Sequence, residues 1–397
     1  MKVLVWLTHS FRVQSRIFSR GTASNEVSFV YYSPHYYDDD IALMHKNSCV
    51  DIEYWFKYSL SAFSLSAKAG GYDIHCFKQE DPISHINRLI EKHKYEKVLI
   101  DKPLFNFPNN IDVSKINAKI EFVDSDLYDE KCKHLDVDKR VKYWLESYKE
   151  YLNVVSPTWL SKNIKLKDDG LILMGEDQVL ELLSEDRIVE SFVQRMIDYK
   201  ATKKHPDGTF RISGHLHHGQ VDAGALVLQI LVASLYDRVS GETWHLEPLR
   251  QLAKREIAII RARSFNLQPY DDVLDWAEHF LDKKSYYTLV ESSHEKIFNR
   301  HELLNGTTAD PDIDMVVRKL KEELWLHPEL RKWLAIEVYW GMGGGIEALE
   351  SLLELFNVYS IDGQSPNNMI NCVSTFQLQD GMPEKIDTEE LFKRMNL

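Results

Sequence analysis

Apolar and polar residues follow two rhythms along this chain, and the change falls near Arg140. Before it, short apolar runs recur at Val3–Leu7, Val27–Tyr32, Ile74–Phe77, Val98–Asp101 and Ile120–Val123. Each has the length and composition of a β-strand. Helical spacing lies between them. In Asp51–Ala69 the residues Ile52, Trp55, Phe56, Leu60 and Phe63 share a face, and Gly70-Gly71 ends the run. Ile83–His93 repeats the pattern more weakly. Strands alternating with helices predict a parallel sheet joined by right-handed crossovers.

After Arg140 the strand signal fades. Helix-length periodic segments follow at Val141–Val155, Gln178–Ile197, Gln220–Val239, Leu246–Ser264 and Pro311–Trp340. Val221–Leu235 is apolar nearly all round, which predicts a central helix of a large bundle. The polar stretch Tyr199–Gly214 feeds it. The expected organisation is a Rossmann-like α/β domain over 1–135, a connector over 136–175 and a large all-α domain over 176–397. Near the end, IDGQSPNNMINCVSTFQLQDG (361–381) is dense in turn formers and reads as a loop.

Composition narrows the function classes. The 397 residues are 44% hydrophobic and 27% charged, as in an ordinary globular protein. No apolar run approaches the roughly 20 residues of a membrane span, and MKVLVWLTHSF reads as a first strand, not a secretory leader. The four cysteines contain no CxxC pair, so a reduced, cytoplasmic protein without a cysteine zinc site is expected. A net charge of −13 argues against broad nucleic-acid affinity while leaving room for one local basic groove.

Four stretches carry candidate chemistry. TFRISGHLHHGQ (209–220) places Thr209, Arg211 and Ser213 before a buried helix, where free N–H groups and the helix dipole favour phosphate. Ordinary capping by Ser213 accounts for the same residues. His205, His215, His217 and His218 suggest imidazole ligation, but no carboxylate spacing accompanies them, and structural histidines are the better reading; no metal is expected. LRQLAKREIAIIRARS (249–264) is an amphipathic helix whose Glu256 faces either solvent or a cavity. HPELRKWLAIEVYWG (327–341) carries Arg331, either solvated or paired with Asp362 as a bidentate ion pair.

Taken together, these pieces resemble the photolyase/cryptochrome family, most closely its class II branch, over nearly the whole chain. Trp6 and Arg12 stand where that family has W and R in its first strand and loop. GGYDIHCFKQEDPISHINRLIEKHKYEKVLID resembles its strand–helix segment before the fourth strand. TFRISGHLHHGQVD resembles its flavin-phosphate loop, LAKREI its R-R-E helix and LHPELRKWLA its M-H-x-x-x-R-M-x-x-A. YSIDGQSPNNMINC resembles Y-x-x-D-G-R-D-P-N-G-Y-x-x-C, the most specific match. The resemblance implies an all-α domain holding FAD, with Arg331 and Asp362 beside the isoalloxazine and Asn367 near flavin N5. It implies Thr209, Ile212 and Ser213 at the pyrophosphate, Tyr199 near the cofactor and Glu256 as a lesion contact. Asn368 stands where the family has Gly, and is expected as the left-handed residue of the turn.

The sequence also departs from the pattern. The family's first-loop arginine, Asp and Asn are His9, Ser15 and Arg16, and the second hydroxyl of T-S is Phe210. Positions of functional tryptophans are Leu334, Ser374 and Met382, and Val373 replaces a methionine. The resulting expectation is an FAD-binding flavoprotein with light- or redox-driven electron transfer, diverged from DNA repair, for which damaged DNA is at most a weak partner. Two alternatives stand beside it. One is a working class II-like photolyase using Trp325, Trp333 or Trp340 as its electron path. The other is a cofactor-free scaffold that keeps the fold.

Overall fold

The computed structural model describes residues 1–8, 26–32, 60–61, 63–65, 67–68, 71–77, 81–103, 111–124, 130–152, 213–217, 223–224, 226–227, 230–231, 245–268, 271–293, 295–376, 386–395 and 397. The chain forms two compact units. The first comprises 1–45, 53–200 and 210–260, the second 46–52, 201–209 and 261–397.

The first unit is built on a parallel sheet of five strands: β1 (Lys2–Leu7), β2 (Glu26–Tyr32), β3 (Asp73–Phe77), β4 (Lys97–Asp101) and β5 (Lys119–Val123). Their order is β3-β2-β1-β4-β5. Every neighbouring pair is parallel, with Val3 opposite both Val27 and Lys97. All five apolar runs of the sequence are therefore strands. β1 sits at the centre, and Val3 to Leu7 are wholly buried because both faces of the sheet are covered. On one face Leu4, Trp6, Val98 and Ile100 pack against Ile83, Ile86 and Ile90 of helix α1 (Pro82–His93). On the other, Val3, Val5, Leu7 and Phe29 pack against Phe63 and Ala67, which are among the described helical residues 60–61, 63–65 and 67–68. Burying each such side chain stabilises the fold by roughly 1.5–3 kcal/mol.

Local chemistry sets the ends of α1. Asp81 caps it, its carboxylate accepting from the Ser84 N–H at 2.8 Å, and Pro82 opens it without spending a hydrogen bond. Lys94 ends it in the left-handed region at φ 60°. This unit also holds α2 (Val137–Leu152), the short α3 (Ser213–His217) and most of α4 (Leu246–Ser264), whose bounds match the sequence pattern. Within the expected central helix, Ala223, Leu226, Val227, Ile230 and Leu231 are helical and buried. The expected helix Gln178–Ile197 lies outside the described residues.

The second unit is helical: α5 (Val273–Phe280), α6 (Lys283–Glu291), α7 (Arg300–Asn305), α8 (Pro311–Glu323), α9 (Pro328–Gly341), α10 (Gly345–Tyr359), α11 (Pro366–Thr375) and α12 (Thr388–Met395). Two sequence expectations change here. The segment 311–340 is two helices, because Leu324 turns left-handed at φ 54° and Pro328 restarts the chain as the first residue of α9. Of the expected loop 361–381, residues 361–376 are a turn followed by a helix, and 377–381 lie outside the described residues. Ser365 caps α11, its Oγ accepting from the Asn368 N–H at 3.1 Å, and Pro366 opens it.

Candidate functional site

The carboxyl end of α10 and the amino end of α11 bring Ser360, Asp362 and Asn368 to Arg331 of α9. Ile361 N–H bonds the Leu324 carbonyl at 2.9 Å, which ties the turn to the end of α8. Gly363 lies so close to the Phe356 carbonyl that a methyl group there would overlap it. Only glycine permits that approach.

Arg331 is the hub. Its Nε donates to the Leu326 carbonyl at 3.1 Å and Nη1 to Asn368 Oδ1 at 2.7 Å. Nη2 donates to Ser360 Oγ at 3.0 Å and to Asp362 Oδ1 at 2.8 Å. The same carboxylate oxygen accepts from the Ser360 hydroxyl at 2.7 Å. The pairing expected between Arg331 and Asp362 is present, but it is not the expected bidentate fork. One guanidinium nitrogen is shared between a carboxylate and a hydroxyl, and the rest of the fork is spread over a carbonyl and an amide. The Phe356 ring lies 5.3 Å from the guanidinium carbon, a second attraction for the charge. Side-chain exposures of 17% for Arg331 and 10% for Asp362 mark a desolvated pair, where charge-assisted bonds gain strength.

Cys372, one helical turn further along α11, shares this environment. Burial pushes its thiol up to about 12, with Arg331 pulling down against it and Asp362 adding to the rise. It is a neutral packing group at ordinary pH, not a nucleophile.

Asn368 departs from its expected part. Asn368 is not the left-handed residue of a turn. It is the third residue of α11, and it is buried. Its Nδ2 donates to the Gly363 carbonyl at 2.8 Å while its Oδ1 accepts from Arg331. Among the described non-glycine residues only Lys94, Asn266, Ala309 and Leu324 have positive φ. Asn367 is half-buried, and its amide makes no hydrogen bond to a described residue.

Glu256 lies in the other unit, on α4. It is 1% exposed and accepts from Arg140 Nη1 of α2 at 2.7 Å, and Arg140 is itself wholly buried. Arg140 also donates weakly to Cys132 Sγ and to the Leu135 carbonyl, each at 3.4 Å. Neighbouring Arg255 donates to the Leu216 carbonyl of α3 at 3.1 Å. Ser213, half-buried, is the first residue of α3. Tyr199, Thr209 and Ile212 lie outside the described residues, as do His205 and His218. Among the described residues there is no group of three His, Cys, Asp or Glu side chains placed to hold a metal ion. None of their helices is long and apolar enough to cross a membrane.

No protein-family model matches the chain. Two curated proteins do in part. A deoxyribodipyrimidine photo-lyase of Arabidopsis thaliana is 27% identical over 203 residues, and one of Oryza sativa subsp. japonica is 24% identical over 208. Each alignment takes in 50% of this chain, against 39% and 38% of the respective relative. The chain thus matches well under half the length of these relatives. Solved structures extend the likeness to the whole chain. The crystal structure of a bacterial class III photolyase from Agrobacterium tumefaciens superposes with a TM-score of 0.66 at 13% identity, covering 100% of this chain and 84% of that one. A cryptochrome of a Synechocystis species superposes with a TM-score of 0.69 at 12% identity, covering 100% and 86%. The chain is similar to photolyases over half its length and shares the fold of photolyase and cryptochrome structures. Its fold is that of these neighbours, a parallel α/β unit followed by helices.

Arg331 and Asp362 were legible from that family's motifs. Ser360, Asn368 and Arg140 were not. Ser360 and Asn368 stand 29 and 37 residues from Arg331, and Arg140 stands 116 from Glu256. Nothing in local spacing signals such pairings.

Proposed function

We propose that this protein is an FAD-binding flavoprotein of photolyase/cryptochrome type, working in light- or redox-driven electron transfer rather than in dimer repair. The observation that carries the reading is the Arg331–Asp362 pair, desolvated at the turn before α11. The residues fit the group. Four of the five guanidinium N–H donors are spent within the protein, which leaves one on Nη1 for a ligand. The half-buried Asn367 amide, without a bond to a described residue, can donate or accept at a heteroaromatic edge. A flavin edge carries carbonyl oxygens and ring nitrogens that use both kinds of partner. A bound FAD would supply the blue-light absorption and the electron exchange, and the protein would bind, orient and electrostatically tune it.

In this reading Arg331, Asp362 and Asn367 hold the ring system. Tyr199, Thr209, Ile212 and Ser213 hold the remainder. Asn367 is the candidate catalytic group of this reading, and Glu256 takes that part only in the repair alternative. A cytoplasmic location and damaged DNA as an occasional partner belong to the same proposal. The burial of Glu256 against Arg140 favours electron transfer over lesion repair, since a glutamate committed to an internal ion pair is costly to redirect to a substrate.

The test is the absorption spectrum of the purified protein after loading with FAD, before and after blue light. A yellow protein is expected, with Arg331→Ala and Asp362→Ala each lowering FAD content by ten-fold or more while the far-UV circular dichroism stays unchanged. A colourless parent, or both variants retaining full flavin, refutes the assignment. Stoichiometric dimer reversal by the chemically reduced protein would instead favour the repair reading.

A further inference from the structure

We infer that Asn368 is a positioning residue: it holds the Arg331 guanidinium in its working orientation and so sets how that charge meets the ligand of this site. The inference deepens the flavin reading and rests on it.

Asn368 is 2% exposed, and both ends of its amide are engaged. Oδ1 accepts from Arg331 Nη1 at 2.7 Å, the shortest of the guanidinium's four bonds. Nδ2 donates to the Gly363 carbonyl at 2.8 Å. The backbone N–H of the same residue closes the Ser365 cap at 3.1 Å. Asn368 therefore spans three parts of the site: the arginine of α9, the Gly363 turn and the start of α11.

The amide suits the place for a chemical reason. A buried arginine needs acceptors for its donors, yet a second carboxylate would offset more of its charge. Asp362 already supplies one carboxylate oxygen, and Ser360 and Leu326 supply neutral oxygens. An amide adds a fourth acceptor with no net charge, so the cluster holds one cation against one anion. Its Nδ2–H₂ also does what a carboxylate could not, since it donates to a carbonyl. Glycine, which the family motif has at this position, would leave Arg331 Nη1 with no acceptor here and the Gly363 carbonyl with no amide donor. This chain thus carries its own brace on Arg331.

Three variants separate the possibilities. Asn368→Leu keeps the volume and removes both bonds. Asn368→Asp keeps the acceptor for Arg331, adds a charge favourable in the first turn of α11 and puts an oxygen against the Gly363 carbonyl. Asn368→Gly restores the family residue. The first measurement needs no cofactor: the melting temperature of Arg331→Met, Asn368→Leu and the double variant in flavin-free protein. A positioning contact requires the double variant to lose less than the sum of the two single losses, because the bond they share is then counted once. Additive losses overturn the inference whatever the protein binds. The second measurement is FAD affinity by fluorescence titration. Loss of one charge-assisted bond corresponds to roughly ten- to hundred-fold weaker binding, expected for Asn368→Leu and Asn368→Gly. Asn368→Asp is expected to bind within a few-fold of the parent, with a displaced flavin reduction potential, because Arg331 then faces two carboxylates. If Leu, Gly and Asp weaken binding alike and the potential of the Asp variant matches the parent, Asn368 serves only the stability of α11 and the inference fails. A parent that takes no FAD sinks the flavin reading alone, and the flavin-free melting cycle still decides whether Asn368 braces Arg331.

Discussion

Removing Arg140 takes the cation away from a carboxylate in the interior. Arg140 and Glu256 are 0% and 1% exposed and 2.7 Å apart, so neither side chain can turn to bulk water when its partner is lost. The pair joins α2 to α4. The other contacts of Arg140 are weak, at 3.4 Å to Cys132 Sγ and 3.4 Å to the Leu135 carbonyl, and its Nε is buried with no hydrogen-bond partner. Nearly all the compensation for burying the guanidinium therefore comes from Glu256. Arg140→Met preserves the length of the side chain and removes the 2.7 Å ion pair from Glu256. Breaking a buried pair from one side costs about 3–5 kcal/mol. For a unit of this size each kcal/mol corresponds to roughly 2–4 °C, so a fall of about 6–20 °C in melting temperature is expected. Replacing both partners, Arg140→Met with Glu256→Leu, removes the buried charges together and is expected to recover most of the loss, or to exceed the parent by about 1–4 kcal/mol. Urea unfolding followed by circular dichroism on the parent, the two single variants and the double variant measures all four corners. The reasoning fails if Arg140→Met loses less than about 1 kcal/mol. It fails equally if the double variant loses the sum of the two singles, because the broken Arg140–Glu256 pair would then not be the cause.

Gly363→Ala should cost about 1–3 kcal/mol, since the new methyl meets the Phe356 carbonyl and the backbone must move; a variant as stable as the parent in urea would show that the turn is looser than drawn. Cys372 predicts a pH dependence. Its folded thiol is raised from 9.0 to about 12, so the folded state keeps a proton that the unfolded chain releases. Its contribution is fully present below about pH 9 and is lost as pH climbs toward 12, with a slope of up to about 1.4 kcal/mol per pH unit. The stability difference between the parent and Cys372→Ala should narrow over that range, and a constant difference from pH 8 to 11 would contradict it.

The sheet was legible because burial on both faces leaves an unbroken apolar run. Val3–Leu7 and Val98–Asp101 needed no partner to be recognised. Leu246–Ser264 was legible for the complementary reason, a helical face long enough to outweigh its charges. The two misread segments fail at prolines. Pro328 and Pro366 each open a helix, where a missing N–H costs nothing. In the 311–340 segment the apolar period runs on past the break. In the 361–381 segment Asp362-Gly363 and Ser365-Pro366 look like successive turns, yet only the first pair forms one. Ser365 and Pro366 are the cap and first residue of α11. The same residue types signal a turn or a helix start, and the choice rests on whether an apolar helical face comes next in the chain. Met369, Cys372 and Val373 are buried on one side of α11, and that helical spacing was present in the sequence.

The site was legible only where a motif names it. Arg331 and Asp362 come from family resemblance, but the way the charge is shared does not, since Ser360 and Asn368 reach Arg331 only once α10 and α11 are placed. The helical placement of Asn368, where a left-handed turn residue was expected, has a simple physical origin. Asparagine tolerates positive φ and the family uses glycine at this position, which makes Asn368 the natural turn residue on sequence grounds. Starting α11 at Pro366 removes the need for positive φ at 368, and as the third helical residue Asn368 has its N–H closed by the Ser365 cap. Its side chain then lies between the Gly363 carbonyl and Arg331, two polar groups that each need a partner in a buried setting. Asn367, one position earlier, is left half-exposed. An amide that satisfies two buried groups cannot readily turn to a ligand, whereas one without a bond to a described residue can. The local geometry therefore gives Asn368 structural work and leaves the half-buried Asn367 amide without a bond to a described residue.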